Sequence, residues 1–432
     1  MTTTPAALHH HDYTIGWISA LPLEMAAAAA MLDERHPDLP TKPTDDNTYI
    51  LGRIHVHNVV IACLPSGVYG TTSAATIASQ IRLTFPSIRI GLMVGIGGGV
   101  PGTADDVRLG DVVVSKPTRD YGGIVQYDYG KSLAGGAFTR QGVLNKPPPI
   151  LLTAISRLQA AHFTRPSQIS WLVSQAARSS CFAYPGADRD ILFDSEYDHV
   201  NPENNCTDCD LNRRRKRSIR ASQDPKIHYG LIASANQVMK DGRLRDKLAR
   251  ELGILCFEME AAGLMDSFPC LVVRGICDYS DSHKSKEWQG YAAAVAAAYT
   301  KELLSIIHGK QVEDEPSKLS TGNIPYLFGA LSPTPRSSQS VTSQRNELDE
   351  QEELLEQISS YQHEQVHRRL AHKRLTGTTQ WFLENHEFKA WLERRSNKLW
   401  CTGKIGSGKT VIAFVLCPFL RGRADTGRLV HL

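Results

Sequence analysis

The chain reads as an α/β protein whose β-sheet is covered by helices on both faces. Two observations predict this. Short, almost wholly apolar runs recur along residues 13–308, and segments of helical periodicity alternate with them. The chain has 432 residues, a length that suits two to three domains, and its 41% apolar and 22% charged residues suffice for a real core.

The elements follow in order. YTIGWISA (13–20) is a short strand, and PLEMAAAAAMLDER after it is a helix, with Pro22 suited to the first turn and alanines favouring the rest. TYILGRIH (48–55) and NVVIACL (58–64) pair as a hairpin, and TTSAATIASQIRLTF (71–85) is helical. IRIGLMVGIGGGV (88–100) is an apolar strand ending in a glycine loop, and DVVVS (111–115) is another strand. Residues 131–226, with three prolines at 147–149 and a basic run at 211–220, read as an irregular insertion carrying helices and a long loop. HYGLIAS (228–234), ILCFEME (254–260) and PCLVVRGICD (269–278) complete the strands, with helices at 241–252 and 291–307. Residues 1–12 are expected to be disordered, 309–345 to be a Ser/Pro-rich linker and 346–396 a charged helical segment.

Composition excludes several classes. Forty-eight basic against forty-five acidic residues leave +3, so no global field points to nucleic acid or a membrane surface. No apolar run reaches the roughly 18 residues of a spanning helix, and the N-terminus lacks a secretory pattern. Nine scattered cysteines, several inside apolar runs, read as reduced thiols of a cytoplasmic protein. The run Arg213–Arg217 is a solvated loop or a nuclear-localisation signal, or it holds phosphates.

Sites of open α/β sheets gather at the carboxyl ends of strands. Three features sit at such ends: Ser19–Glu24, Gly95–Gly99 and Asp278. The glycines allow close backbone approach to a ligand, and Asp278 closes an apolar strand where a carboxyl is partly desolvated. FEMEAAG sets Glu258 and Glu260 where a strand gives way to a helix.

IGWISALPLEM, VGIGGGV followed by LGDVVVS, FEMEAAG and VVRGICD, in this order, resemble the nucleoside phosphorylase/nucleosidase superfamily over about residues 13–308. The resemblance implies a twisted mixed β-sheet flanked by helices, and a reaction at the N-glycosidic bond of a purine nucleoside that needs no cofactor. It implies that Asp278 protonates the purine at N7, that Glu260 grips the ribose hydroxyls with Met259 packed on the sugar, and that Gly97, Gly98, Val238 and Met239 lie against the base. Glu24 falls where nucleosidases carry the base that activates water. Members are commonly homo-oligomers.

Hydrolysis is favoured over phosphorolysis, because SALPLE and VGIGGG hold no Arg or Lys for a phosphate dianion, and a carboxylate at Glu24 would repel one. A true phosphorylase and a catalytically silent nucleoside sensor are the alternatives. His283, Lys284 and Lys286 follow Asp278 closely and are candidates to hold 5′ phosphates. Related domains fused to immune-type NTPases look like ATP-destroying nucleosidases, so an adenine nucleotide is the first choice of substrate.

GKIGSGKT (403–410) matches a phosphate loop in full: Gly403, Gly406 and Gly408 shape it, Lys409 would reach the phosphates, and Thr410 would ligate Mg²⁺. With the preceding segment it resembles the entry to the NACHT-type NTPase of fungal NOD-like receptors. An intact module would take ATP and Mg²⁺. Residues 397–432 hold only its start, so ATPase function is not expected. Residues 346–400 are a candidate protein-binding stretch. NCTDCD offers Cys206 and Cys209 with His199 nearby, but without a second pair it reads as no metal site, and His9–His11 reads as incidental.

Overall fold

The computed structural model describes residues 8–313 apart from 103–104, 119, 137, 178–179, 201–205 and 269. The segment from 314 onward, with Gly403, Gly406, Gly408, Lys409 and Thr410, lies outside the described residues. The elements run β1 (Ile15–Ser19), α1 (Pro22–Ala30), β2 (Glu34–Arg35), β3 (Tyr49–Ile54), β4 (His57–Cys63), α2 (Thr71–Thr84), β5 (Ile90–Gly99), β6 (Val112–Ser115) and β7 (Ile124–Gln126). They continue β8 (Gly130–Ser132), β9 (Phe138–Arg140), α3 (Pro149–His162), α4 (Ile169–Ala176), β10 (Ile227–Ser234), α5 (Gly242–Leu252), β11 (Ile254–Glu258), β12 (Cys270–Asp278), α6 (Gln289–Leu304) and α7 (Gly309–Glu313).

The main sheet has the order β11-β10-β6-β12-β5-β1-β4-β3-β2, with β7 beside β10. It is mixed: β12, β5, β1 and β4 are parallel, whereas β6 opposes β12 and β3 opposes β4. β11 also pairs antiparallel with β5 through Cys256↔Gly99 and Phe257↔Gly98. That pairing folds half of the sheet back on itself, so the ends of β5, β11 and β12 meet.

Alternation along each strand fills both faces. Ile15 and Trp17 of β1 and Leu271 and Val273 of β12 join a core covered by α1, α3, α4 and α6. Ile18, Val272 and Ile276 join the opposite core under α2. Each such aliphatic side chain contributes about 2 kcal/mol of burial. The alanines of α6 leave that helix almost wholly buried against β12. α5 is capped at its start by Asp241, which accepts from Arg243 N and Leu244 N, and at its end by Gly253 at φ 71°. No helix among the described residues is long and apolar enough to cross a membrane.

Four expectations need correction. Gly95–Gly99 is no loop: β5 stays extended to Gly99, because its backbone is claimed by β12 on one side and β11 on the other. Residues 8–12, read as disordered, include a 3-10 turn at His10–Asp12, where His9 N donates to Asp12 and the His10 ring sits 5.2 Å from that of Phe85. Within 131–226 the expected helices are present as α3 and α4, but they are part of the domain and not an insertion on it. Leu151, Ile155, Leu158, Ile169 and Leu172 belong to the main core. The segment read as linker begins with α7, where Val312 is buried.

Candidate active site

Glu24 stands in the first turn of α1, three residues after Leu21, with Pro22 opening the helix. Its carboxylate accepts three backbone N–H groups: Ala20 at 2.7 Å, Leu21 at 3.0 Å and Ile96 of β5 at 2.7 Å. Burial pushes its carboxyl above the ordinary range, against the charge of Arg274 and the three donors. The fit requires glycine across the way, because a Cβ on Gly95 would overlap both the Glu24 carboxylate and the Arg274 guanidinium.

Arg274 lies mid-strand in β12 and is 1% exposed. Its Nη2 donates to Glu258 and, at 3.4 Å, to Glu260, while Nη1 reaches Ile96 O at 3.4 Å. Burial works against its charge, yet the surrounding carboxylates of Glu258, Glu260 and Glu24 hold its pKa above the usual arginine value. Glu258 also accepts Glu260 N at 3.1 Å and Ala261 N at 3.0 Å, which fixes the turn after β11. Glu260 accepts Gly70 N at 3.4 Å. Burial, opposed by Arg274 and assisted by Glu258 and Glu24, pushes the Glu260 carboxyl up to about 7.

Asp278 ends β12 in register with Gly98 and is 7% exposed. Its Oδ1 accepts Ser280 N at 2.8 Å and lies 3.0 Å from Lys284 Nζ. Burial alone would lower the Lys284 pKa, but the Asp278 carboxylate raises it on balance. Ser280 adopts φ 54°, a left-handed conformation uncommon outside glycine, and its buried Oγ has no hydrogen-bond partner. A Cβ on Gly98 would overlap that hydroxyl and Asp278, so glycine here leaves the space between β5 and the loop after β12.

These groups line one cavity of about 480 Å³. The expected Gly97, Gly98, Val238, Met239, Met259, Glu260, Asp278, Glu24, Lys284 and Lys286 all border it. His283 does not. Its ring stacks on Phe193, with centroids 4.2 Å apart, and borders a neighbouring cavity together with Phe193 and Cys206. The basic run is elsewhere too: Arg214, Arg215, Lys216 and Arg217 line a separate cavity of about 630 Å³. Arg217 is half-committed there, paired with Asp190 at 2.8 Å and donating to the Tyr279 hydroxyl at 2.7 Å.

Sequence reasoning missed Arg274, Ser280 and the pairing role of Glu258. The signal for Arg274 was present: a lone arginine inside an apolar strand must find buried acids. Nothing in the sequence marks Ser280, whose position depends on its backbone conformation.

Residues 14–308 match the phosphorylase superfamily, and residues 377–431 match the N-terminal region of nephrocystin 3. A nucleotide-binding leucine-rich repeat (NLR)-like protein of Hyaloscypha variabilis is 46% identical over 324 residues, covering 74% of this chain and 32% of that protein. The ATP nucleosidase Cap17 of Escherichia coli is 23% identical over 315 residues, covering 69% of this chain and 52% of Cap17. A 5'-methylthioadenosine/S-adenosylhomocysteine nucleosidase of Mycobacterium tuberculosis is 31% identical over 90 residues, 20% of this chain and 35% of that enzyme. This chain therefore spans about a third of the NLR-like relative and about half of Cap17. Among solved structures, futalosine hydrolase of Helicobacter pylori superposes with a TM-score of 0.44 at 15% identity, covering 68% of this chain and 99% of that one. The chain belongs to the phosphorylase superfamily.

Proposed function

We propose that residues 13–308 hydrolyse the N-glycosidic bond of purine nucleosides or nucleotides, with water as the nucleophile. One observation carries the choice of water. The backbone donors at the start of α1 and on β5, which would suit an incoming anion, are already taken by the Glu24 carboxylate. The one guanidinium beside them, Arg274, is matched by Glu258 and Glu260. A phosphate dianion arriving here would meet an excess of negative charge, whereas water would meet a base.

In this reading the C1′–N9 bond breaks with its electron pair leaving on the purine. Asp278 supplies the proton that the base takes at N7, and the sugar passes through an oxocarbenium-like state. Glu260 accepts the ribose hydroxyls, and its carboxylate, with Glu24, favours the positive charge growing on the ring. Water attacks C1′ and gives its proton to Glu24. Met259 packs on the sugar, while Gly97, Gly98, Val238 and Met239 hold the base. No cofactor enters.

We further propose adenine nucleotides, ATP among them, as preferred substrates. Lys284 and Lys286 at the cavity support this, as does the similarity to Cap17. The arrangement with Lys284 on Asp278 is then that of the free enzyme, and phosphates draw the lysine away. The domain plan is proposed to continue through a Ser/Pro-rich linker and a helical segment to a P-loop module, in a homo-oligomer. The match of residues 377–431 and the NLR-like relative support the plan. The test is turnover in water carrying a heavy oxygen isotope. Label at the sugar C1′ hydroxyl is expected, and an unlabelled sugar phosphate would overturn the reading.

A further inference from the structure

Cys206 and Cys209 lack a second cysteine pair in the sequence, but the fold supplies other ligands. A 3-10 turn at Cys206–Asp208 carries the two thiols to one side, since three residues per turn bring i and i+3 into line. One ligand atom from each of His199, Cys206 and Cys209 lies within 4.8 Å of the others. A tetrahedral ion with bonds of about 2.0–2.3 Å separates its ligand atoms by about 3.3–3.8 Å, so the trio needs only a small contraction to close on one.

A second observation points to the same place. The His283 side chain is 4% exposed, and neither ring nitrogen has a hydrogen-bond partner. The nearest charged group is Asp281, 3.7 Å from Nδ1. Leaving a buried polar group unsatisfied costs free energy, and a bound ion is one of the ways in which such a group is satisfied. The His283 ring centroid is 5.3 Å from that of His199, and its backbone oxygen is 4.0 Å from Cys206 Sγ.

We propose that His199, Cys206, Cys209 and His283 form a structural site for a zinc-class divalent ion. Two thiolates and two imidazoles are a borderline-soft donor set that fits zinc and disfavours Mg²⁺ or Ca²⁺. On binding, each cysteine gives its proton to solvent and two sulfur–metal bonds form, with no change of oxidation state. The ion joins His199 and the turn at Cys206–Asp208 to the loop after β12, where His199 N already donates to Ser282 Oγ at 2.9 Å. That loop carries Lys284, so the site would steady the edge of the cavity independently of the reaction run there.

The test is metal content of the purified full chain, followed by titration of the metal-free protein with Co²⁺ and displacement by Zn²⁺. About one zinc per chain is expected, with tetrahedral Co²⁺ bands, thiolate-to-metal charge transfer, and a higher melting temperature on Zn²⁺ binding. Cys206→Ser with Cys209→Ser should abolish the charge transfer, and His283→Gln should keep it while weakening affinity and altering the ligand field. Should the double variant not fold, the charge-transfer band of the unaltered chain still reports thiolate ligation. Cobalt bound without that band, as at His9–His11, would overturn the proposal. So would unchanged binding in the double variant, no metal at all, or a Cys206–Cys209 disulfide on a chain that takes no metal when reduced.

Discussion

Lys284 Nζ lies 3.0 Å from Asp278 Oδ1, an ion pair closed over the end of the last core strand. If the phosphates of a nucleotide draw Lys284 out of this pair, Lys284→Met should raise KM for ATP on the order of 10-fold and leave KM for adenosine near that of the parent. Initial rates with the two substrates check this, and equal effects on both would separate Lys284 from the phosphates.

Asp278→Asn removes the proton and keeps the shape. Turnover is expected to fall on the order of 10²–10⁴-fold while substrate affinity stays near that of the parent. Single-turnover kinetics and equilibrium binding measure the two separately. Full activity would end the assignment of Asp278.

Glu260 carries a carboxyl pushed up to about 7, and it must be ionised to accept ribose hydroxyls. Activity as kcat/KM should therefore decline as pH drops below about 7. Stability has the opposite slope: the folded state holds the proton more tightly than the unfolded chain, so stability falls as pH rises from the ordinary 4.5 through about 7 and then levels. The linked term is on the order of 3 kcal/mol. Urea unfolding of Glu260→Gln against the parent, at about pH 5 and about pH 8, should show a shallower slope in the variant, with Glu24 supplying part of what remains.

Arg274 is matched by buried acids, so removing it alone strands their charge. Arg274→Met should destabilise the fold by about 3–5 kcal/mol, and adding Glu258→Gln should recover part of the loss. Denaturant melts of the two variants test the coupling.

Much of this was legible in the chain. Continuous apolar runs and helical patterns located β1, β5, β12, α1 and α6, and the acids Glu24, Glu260 and Asp278 stood out because they follow apolar strands. What escaped depends on contacts between distant segments. Arg274 meets Glu258 only because β11 folds back on β5 beside β12. His283 was expected near the substrate, but Phe193 and Tyr197, from far upstream, take its ring into an aromatic stack. The glycine run misled for a related reason: without side chains it suits a loop and three converging strands equally well.

The most direct measurement incubates the purified chain with ATP, AMP, adenosine, inosine and methylthioadenosine, each with and without phosphate, and follows free base by chromatography. Release of base at the same rate in both conditions is expected, with an adenine nucleotide preferred. Release that requires phosphate would contradict it and leave the Glu24 carboxylate without a role.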